Sequence, residues 1–271
     1  MVFSPLPAQL VVKPGFARER FESTGVVLVP GLLQHDEIEK IKKTFTEHVE
    51  HYTDLNFDDH IEKDDILSRY PRFVHPHRHP ETAPGEIARR MIIDKRILQI
   101  VKELFDGGEA YGAQSMFYFK PPTARGQAMH QDNRSLQAHP ETCLACWIAI
   151  DDADGENGGL LVIPGTHRSE ILCHDEDAPA DTFDRRQIKL PPGLTPIQTE
   201  LRAGDALFFN GSLVHGSRGN TTTDRFRRAL IFHYVPQTAT QIKPFYHPLM
   251  TPDGKEVTIE ESPEGGPCGG P

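Results

Sequence analysis

The hydrophobic pattern changes period near Ala113, and this change limits the fold more than any other feature of the chain. Beyond this point, apolar residues alternate over short segments separated by Gly, Pro, Asn or Asp clusters. Alternation indicates β-strands, because successive side chains of a strand point to opposite faces. We predict strands at 114–120, 128–132, 142–150, 159–163, 197–201, 206–209, 214–215 and 228–235. Many short strands with few helices between them are typical of an antiparallel barrel or jelly roll.

The residues before this change follow a helical pattern around one short strand-like segment, GVVLVPG. Apolar residues then recur at spacings of three and four, which predicts a helix over 36–52 with Asp36 as its N-cap. A second helix is predicted over 87–105. Residues 53–85 are polar and rich in His and Pro, so we expect a loop there. Residues 165–195 break the strand rhythm, as a long insertion or a lid over the barrel mouth would.

The length and these patterns favour one domain with helices outside a barrel. A chain of 271 residues buries about three quarters of the surface that its unfolded form exposes. We predict a single domain over 1–262, with a helical N-terminal layer over about 1–110 and a jelly-roll core over about 111–240. The tail 263–271 is rich in Pro and Gly and is expected to be disordered.

Charge and composition exclude several classes of protein. The chain has 29 Lys and Arg against 39 Asp and Glu, a net charge of −10, which argues against a nucleic-acid binder, because phosphate neutralisation needs clustered cations. No run of about 18 apolar residues occurs and the N-terminus lacks the pattern of a signal peptide. We therefore expect a cytoplasmic protein that does not bind membranes. The pattern does not predict an oligomeric state.

Four cysteines are too few for a disulfide scaffold, so a reducing compartment is expected. Cys143 and Cys146 form a C-x-x-C pair that could bind zinc or act in redox chemistry. A second such pair is missing, and the segment TCLACWIAI resembles a buried strand. We interpret both thiols as structural.

A possible metal site begins at MHQDN. His130 and Asp132 are two residues apart, so a strand would direct both to the same face. His215, in the segment VHGS, lies 85 residues after His130 and shortly after the apolar strand ALFF. Two histidines and one carboxylate on one face of a metal leave positions open, and this set suits non-haem Fe(II) that activates dioxygen.

A pair of arginines opens the last predicted strand. An oxygenase with this ligand set needs a reductant, and 2-oxoglutarate would bring a distal carboxylate that requires a buried cation. The planar fork of arginine suits a carboxylate. Neighbouring residues of a strand face opposite ways, so only one of Arg227 and Arg228 can point inward.

In their order, these segments resemble the phytanoyl-CoA dioxygenase-like family of Fe(II)/2-oxoglutarate oxygenases. The matching segments are SMFYFKPP, MHQDN, CWIAIDDADGENGGLLVIPGTHR, AGDALFF, and VHGSRGN followed by FRRALIFHYV. They cover about residues 112–236. The resemblance implies a double-stranded β-helix and a dioxygenase that uses Fe(II), 2-oxoglutarate and O2. Such an enzyme hydroxylates a small-molecule substrate and releases succinate and CO2.

The resemblance also implies roles for individual residues. It gives His130, Asp132 and His215 as the iron ligands, with no catalytic residue beyond the iron centre. It selects Arg227 rather than Arg228 as the partner of the 2-oxoglutarate carboxylate. Further residues that match positions of the 2-oxoglutarate pocket are Ser217, Trp147 and Lys120.

Strand parity supports an inward position for Trp147. If Trp147 faces inward, Cys143, Ala145 and Ala149 share its face, and these small side chains leave room beside one large ring. The alternative interpretation of Trp147 is an ordinary aromatic residue of the core.

The substrate-binding residues are the least constrained part of the site. The segment RFVHPHRHPE could bring His75, His77 and Arg78 to the mouth of the site, although Pro76 and Pro80 also suit a plain surface loop. Two arginines flank the H-x-D segment and are further candidates, Arg125 and Arg134. Cations at the mouth would suit a substrate with an anionic group.

Three alternative functions remain open or are excluded by the residues. A halogenase is disfavoured, because Asp132 occupies the position that chloride would need. Desaturation or ring formation depends on substrate placement and stays open. A catalytically silent domain that binds 2-oxoglutarate and metal as a sensor is the alternative from another class.

Overall fold

The computed structural model describes residues 11–13, 15–49, 62–140, 142–263, 266 and 268. The helices in this part of the chain are α1 (Arg18–Thr24), α2 (His35–Val49), α3 (Ala83–Ile92), α4 (Lys95–Leu104) and α5 (Asn133–Leu136). The first eight strands are β1 (Val26–Val29), β2 (Phe73–Val74), β3 (Ala110–Tyr118), β4 (Gln127–His130), β5 (Leu144–Ala149), β6 (Leu160–Val162), β7 (Glu176–Asp177) and β8 (Arg186–Gln187). The remaining strands are β9 (Ile197–Gln198), β10 (Ala206–Asn210), β11 (His215–Ser217), β12 (Ala229–Pro236), β13 (Gln241–Ile242), β14 (Leu249–Met250), β15 (Glu256–Val257) and β16 (Glu260–Glu261).

Two antiparallel sheets form the centre of the molecule. The larger sheet has the order β1-β10-β5-β12-β3-β14-β15, with β2 added to β3. The smaller sheet has the order β4-β11-β6-β9. All eight strands predicted beyond Ala113 are present, with ends that differ by a few residues. This arrangement confirms the predicted double-stranded β-helix, or jelly roll.

Strand β12 illustrates how side-chain alternation builds two separate cores. Leu230, Phe232 and Tyr234 face outward from the larger sheet and pack with the helices. Ala229 and Ile231 face the space between the two sheets. Because a strand alternates its side chains, one apolar strand supplies both cores.

The predicted surroundings of Trp147 are confirmed except at Cys143. Ala145 and Ala149 lie with Trp147 in the core between the sheets. Cys143 precedes the start of β5 and packs in another cluster, whereas Cys146 faces the helices. Both cysteines are buried and free, so the C-x-x-C segment forms no disulfide, and its two thiols pack in different clusters.

The helical layer follows the predicted apolar face but differs at its ends. In α2 the residues predicted to face the core are buried, namely Ile38, Ile41, Phe45 and Val49. This helix begins at His35, one residue before the proposed cap. The single helix predicted over 87–105 is wrong: two helices, α3 and α4, replace it. Asp94 separates them, because its carboxylate accepts a hydrogen bond from the Arg96 backbone N–H at 2.9 Å and caps α4.

The region predicted as a loop over 53–85 is partly structured. Residues 53–61 lie outside the described part of the chain. The rest contains two short 3-10 turns, Ile66–Arg69 and Pro76–Arg78, with β2 between them. Since β2 pairs with β3, Phe73 and Val74 belong to the larger sheet, and the loop prediction is wrong for this short part of the region.

The insertion over 165–195 covers the free edge of β4. The backbone of Gly126 bonds to Asp181 and Phe183, and Asp184 accepts a hydrogen bond from the Ala128 backbone N–H at 2.7 Å. Its apolar residues, among them Ile188, pack on the outer face of the smaller sheet. The insertion therefore shields an exposed sheet edge, where unpaired strands tend to associate.

A disulfide joins this insertion to the C-terminal tail. Cys173 and Cys268 are bonded over a sequence separation of 95 residues, a pairing that the cysteine count did not predict. The expected disorder of the tail falls largely on residues outside the described part. No helix in the described part of the chain is long and apolar enough to cross a bilayer.

Candidate metal centre and adjoining cavities

Paired strands of the smaller sheet bring two histidines together. His130 at the end of β4 lies opposite His215 at the start of β11, and their ring centroids are 4.2 Å apart. The Nε2 atoms of both rings lie 3.5 Å from Oδ1 of Asp132. One ligand atom from each of the three residues lies within 4.8 Å of the others. Side chains from three separate positions thus converge on one point.

Asp132 reaches this point by a different route from the one predicted. Strand β4 ends at His130, and Asp132 has the backbone of a right-handed helix (φ −62°, ψ −37°) just before α5. Strand alternation therefore does not explain the shared direction of the two side chains. The turn into α5 brings the carboxylate round to the histidines instead.

Hydrogen bonds to the backbone orient both imidazole rings. Nδ1 of His130 lies 2.8 Å from the carbonyl oxygen of Ala128, and Nδ1 of His215 lies 3.0 Å from that of Leu213. A carbonyl only accepts, so each Nδ1 carries the proton and each neutral ring has an unprotonated Nε2. Two nitrogen lone pairs and a carboxylate oxygen then face one point, and this donor set fits a divalent transition metal.

The electrostatics of Asp132 and His215 suit metal ligands, whereas for His130 the effect of burial is outweighed by Asp132, which raises the pKa of this histidine. Burial alone would raise the pKa of Asp132, but His215 and His233 outweigh it and hold the pKa well below its usual range. Burial lowers the pKa of His215 to about 4, although Asp132 opposes this shift. At neutral pH the centre therefore offers an ionised carboxylate and an unprotonated His215 nitrogen.

Arg227 and Arg228 lie in opposite surroundings. Arg227 is only 4% exposed, its guanidinium lies 5.6 Å from the ring centroid of Trp147, and its Nε donates to the Gly158 carbonyl oxygen at 3.2 Å. Burial lowers its pKa to about 10, which leaves it cationic at neutral pH. Arg228 instead pairs with Asp151 at 2.7 Å.

Lys120 and Ser217 form a buried pair beside Arg227. The Nζ of Lys120 donates to Ser217 Oγ at 2.7 Å and to the Arg218 carbonyl oxygen at 2.6 Å, with a longer contact of 3.4 Å to Gly158. These three acceptors match the three protons of an ammonium group. Burial, followed by the charge of Arg227, lowers the pKa of Lys120 well below its usual range.

Two connected spaces adjoin the metal centre. A central cavity of about 470 Å³ extends from the candidate ligands to Ser217 and Arg227, with Trp147 in its wall. An outer cavity of about 850 Å³ also reaches His130 and Asp132. Lining residues of the outer cavity include Arg72, Gln114, Tyr118, Ser135, Phe245 and Tyr246. The candidate metal centre thus lies where the two spaces meet.

The predicted substrate residues are placed unevenly around these cavities. His75 and His77 are buried, not part of an exposed loop, and His75 packs against the rings of Phe245 and Tyr246. The guanidinium of Arg78 contacts the Phe245 carbonyl oxygen at 3.4 Å. None of these three is among the residues that line the two cavities.

The two arginines beside the H-x-D segment also differ from each other. Arg125 pairs with Asp65 at 2.7 Å and lines a third, adjoining cavity together with Lys120 and Arg227. Arg134 in α5 interacts electrostatically with His174 of the insertion and does not line the central or outer cavity.

Sequence reasoning missed several residues of the site. His233 lies 3.0 Å from Asp132 Oδ2, and Gln127 Nε2 lies 3.3 Å from His130 Nε2. The inward direction of His233 could have been predicted from the sequence, because it lies six residues after Arg227 and strand parity gives both the same face. Arg72 and Tyr246 come from irregular segments, where no periodicity indicates a direction.

Comparisons with known proteins agree with this architecture. The family model described as phytanoyl-CoA dioxygenase (PhyH) matches residues 21–229. Phytanoyl-CoA dioxygenase 1 from Oryza sativa subsp. japonica is 33% identical over 131 residues, 45% of this chain and 43% of that protein. Peroxisomal phytanoyl-CoA dioxygenase from Mus musculus is 26% identical over 237 residues, 80% of this chain and 67% of that protein. The chain spans less than half the length of the first of these relatives.

Two similar solved structures are enzymes from nogalamycin biosynthesis. The carbocyclase SnoK from nogalamycin biosynthesis superposes with a TM-score of 0.65 at 22% identity, and covers 88% of both chains. The epimerase SnoN, solved with Fe3+, alpha ketoglutarate and nogalamycin RO, has a TM-score of 0.64 at 20% identity over 82% of this chain and 83% of its own. At this level of identity the likeness establishes the fold.

Proposed function

The chain belongs to the phytanoyl-CoA dioxygenase family, and from this premise we propose that it is an Fe(II)- and 2-oxoglutarate-dependent oxygenase that hydroxylates a small molecule. The observation that carries the proposal is the convergence of His130, Asp132 and His215 on one side of a central cavity whose other end holds a buried arginine. A metal that is bound by three side chains on one face keeps positions for co-substrates.

The three converging residues would hold the iron. Fe(II) bound there would supply the oxidation, with 2-oxoglutarate and O2 as co-substrates and succinate and CO2 as products. The backbone carbonyls of Ala128 and Leu213 keep the ring nitrogens of His130 and His215 directed at the metal. Because the rings are already oriented, metal binding costs little reorganisation.

Arg227 binds the distal carboxylate of 2-oxoglutarate at the other end of the central cavity. Its buried cation and planar fork suit a carboxylate, and Trp147 and Ser217 border the same space. Lys120 supports Ser217 through the hydrogen bond of 2.7 Å. Since its Nζ already contacts three acceptors in the protein, Lys120 acts here by fixing the position of the serine hydroxyl.

The outer cavity takes the substrate, and we propose that the substrate carries an anionic group. Arg72 borders this cavity, with its guanidinium 5.3 Å from the Tyr118 ring centroid and 5.6 Å from that of Phe183. The Nη1 of Arg72 also donates to the Tyr118 hydroxyl at 2.8 Å. A guanidinium beside aromatic rings stays cationic, and a cation in the cavity wall favours an anionic group in the substrate. Phe245 and Tyr246 would exclude water from the apolar part of the substrate.

A second candidate outcome is an oxidation that adds no oxygen. The similar solved structures SnoK and SnoN are a carbocyclase and an epimerase. The fold and the ligand set alone therefore do not select hydroxylation. Product mass discriminates the outcomes: hydroxylation adds one oxygen atom, ring closure or desaturation removes two hydrogen atoms, and epimerisation leaves the mass unchanged.

Anaerobic Fe(II) titration tests the proposed centre. We expect Asp132→Ala and His215→Ala to weaken iron binding strongly, because each removes a ligand. Asp151→Ala, which removes a carboxylate away from the site, is the control and retains wild-type affinity. Undiminished affinity in either ligand variant would refute the assignment.

A screen for succinate release then tests the activity. The wild-type protein with Fe(II), 2-oxoglutarate and O2 is incubated with small anionic metabolites and with uncharged analogues of the same size. Substrate-stimulated succinate formation supports an oxygenase. The sensor domain would be favoured instead if the protein binds 2-oxoglutarate but releases no succinate. This must hold both with the candidate substrates and in the slow, uncoupled reaction without substrate.

A further inference from the structure

The two oxygens of Asp132 have different partners. Oδ1 lies 3.5 Å from the Nε2 atoms of both His130 and His215. Oδ2 lies 3.0 Å from Nε2 of His233. One oxygen therefore faces the candidate metal position, while the other is engaged by a residue outside the ligand set.

His233 is held rigidly by its place in the larger sheet. It lies near the middle of β12, where its neighbours across the strand pairs are Ala145 in β5 and Gln114 in β3. Its side chain is 3% exposed and borders both the central and the outer cavity. Asp132, in contrast, lies in a turn before the four-residue helix α5, which holds a side chain less firmly than a central strand.

The chemistry of the contact assigns its direction. A carboxylate that binds a metal is ionised and can only accept hydrogen bonds. Nε2 of His233 must therefore carry a proton and donate it to Oδ2. Nδ1 of His233 is buried and has no hydrogen-bond partner among the described residues, so the contact with Asp132 is the hydrogen bond of this ring in the described part of the chain.

We propose that His233 is a positioning residue of the metal centre, which fixes Asp132 through Oδ2 so that only Oδ1 is presented to the metal. This inference rests on the proposed iron site. A carboxylate that is free to rotate can present both oxygens and take a second position on the metal. By holding Oδ2, His233 keeps that position available for the co-substrates.

Cobalt(II) is a suitable probe, because its visible absorption reports ligand number and geometry without requiring turnover. We compare His233→Gln with His233→Asn: the glutamine amide reaches about as far as Nε2 of histidine, whereas the asparagine amide is too short to reach Oδ2. Tyr234→Phe is the matched control, since it removes a buried hydrogen bond of 2.9 Å to the Ile92 carbonyl oxygen from the same strand. Thermal unfolding of each metal-free variant checks that it folds.

We expect His233→Asn to bind Co(II) about 10- to 100-fold more weakly than wild type and with an altered spectrum. His233→Gln should retain most of the affinity and the wild-type spectrum, and Tyr234→Phe should retain both. If His233→Asn does not fold, His233→Leu, which has no donor, replaces it with the same expected weakening.

Wild-type Co(II) affinity and spectrum in His233→Asn would overturn the positioning role, as would a His233→Gln variant as weak as His233→Asn. Asp132→Ala separates this failure from failure of the proposed function. If Asp132→Ala binds Co(II) poorly while His233→Asn binds normally, only the positioning role is wrong. If Asp132→Ala binds as tightly as wild type, the metal centre itself is wrong.

Discussion

Two adjacent arginines lie in different surroundings because strand parity separates their side chains. Arg227 is buried beside Trp147 and lines the central cavity. Arg228 forms hydrogen bonds with both oxygens of Asp151, at 2.7 and 2.9 Å. Chemically identical side chains thus form a matched pair, one in the proposed co-substrate site and one outside it.

This pair gives the first prediction. Arg227→Ala should leave the distal carboxylate of 2-oxoglutarate buried and unpaired, a loss of about 3–5 kcal/mol. The dissociation constant of 2-oxoglutarate should rise by about two to three and a half decades, measured by anaerobic calorimetric titration of the Fe(II)-loaded protein. Arg228→Ala should leave that constant unchanged and lower thermal stability. Equal losses in both variants, or none in Arg227→Ala, would contradict the assignment.

At the same scale, the residues show which part of the site could be predicted from sequence. His215 follows from its motif. Strand parity limits the inward arginine to one of two, and only the family resemblance selects Arg227. Asp132 was predicted to share a strand face with His130, but a turn directs it to the site. His233 contacts it from β12, and a contact between residues 101 positions apart depends on how two sheets face each other. Local pattern contains no information on such a contact.

The short segment from His75 to Arg78 is more buried than its sequence predicts. Its prolines suggested a surface loop, yet the His75 backbone N–H donates to the Ser115 carbonyl oxygen at 2.8 Å, and His77 Nδ1 lies 2.6 Å from Ser115 Oγ. The preceding two-residue strand β2 pairs with β3. A strand of two residues is too short to show an alternating pattern in the sequence. Its pairing with a distant strand was therefore not predictable.

Burial of two histidines in this segment predicts loss of stability in acid. Burial, followed by the charge of Arg78, lowers the pKa of His75 to about 2 and of His77 to about 3. The unfolded chain takes up these protons near pH 6.5, so the native state is fully favoured above that pH and loses stability as the pH falls towards 3. At pH 5 each histidine should lower the free energy of unfolding by about 2 kcal/mol relative to its value above pH 6.5.

Denaturant unfolding at pH 7 and pH 5 measures this loss. The variant His77→Gln has no proton to gain, so its stability should fall by about 2 kcal/mol less than that of wild type over the same interval. At pH 7 the variant is expected to be the less stable protein, because glutamine does not reproduce the imidazole contact with Ser115. An equal fall in both proteins would show that His77 is not held neutral in the native state.

On the scale of the whole molecule, the helical layer and the barrel share one core. A single cluster joins Ile41 and Phe45 of α2 and Ile97 of α4 to Phe208 and Phe232 on the outer face of the larger sheet. The N-terminal layer also supplies β1, which pairs with β10. The change of period near Ala113 marked a boundary between helices and strands, but packing continues across it.

This shared core predicts one cooperative unfolding transition and no independent barrel. Removing the N-terminal layer would expose the outer apolar face of the larger sheet and leave β10 as an unpaired edge, a combination that favours aggregation. Calorimetry of the metal-free protein should give a single transition with a calorimetric to van't Hoff enthalpy ratio near one. A fragment of residues 111–262 should not fold. Two separate transitions, or a soluble fragment with native-like near-UV circular dichroism, would instead indicate two domains. Because both observables respond to the same packed interface, their agreement would establish that the helices are part of the structure that holds β12, and with it Arg227 and His233, in place.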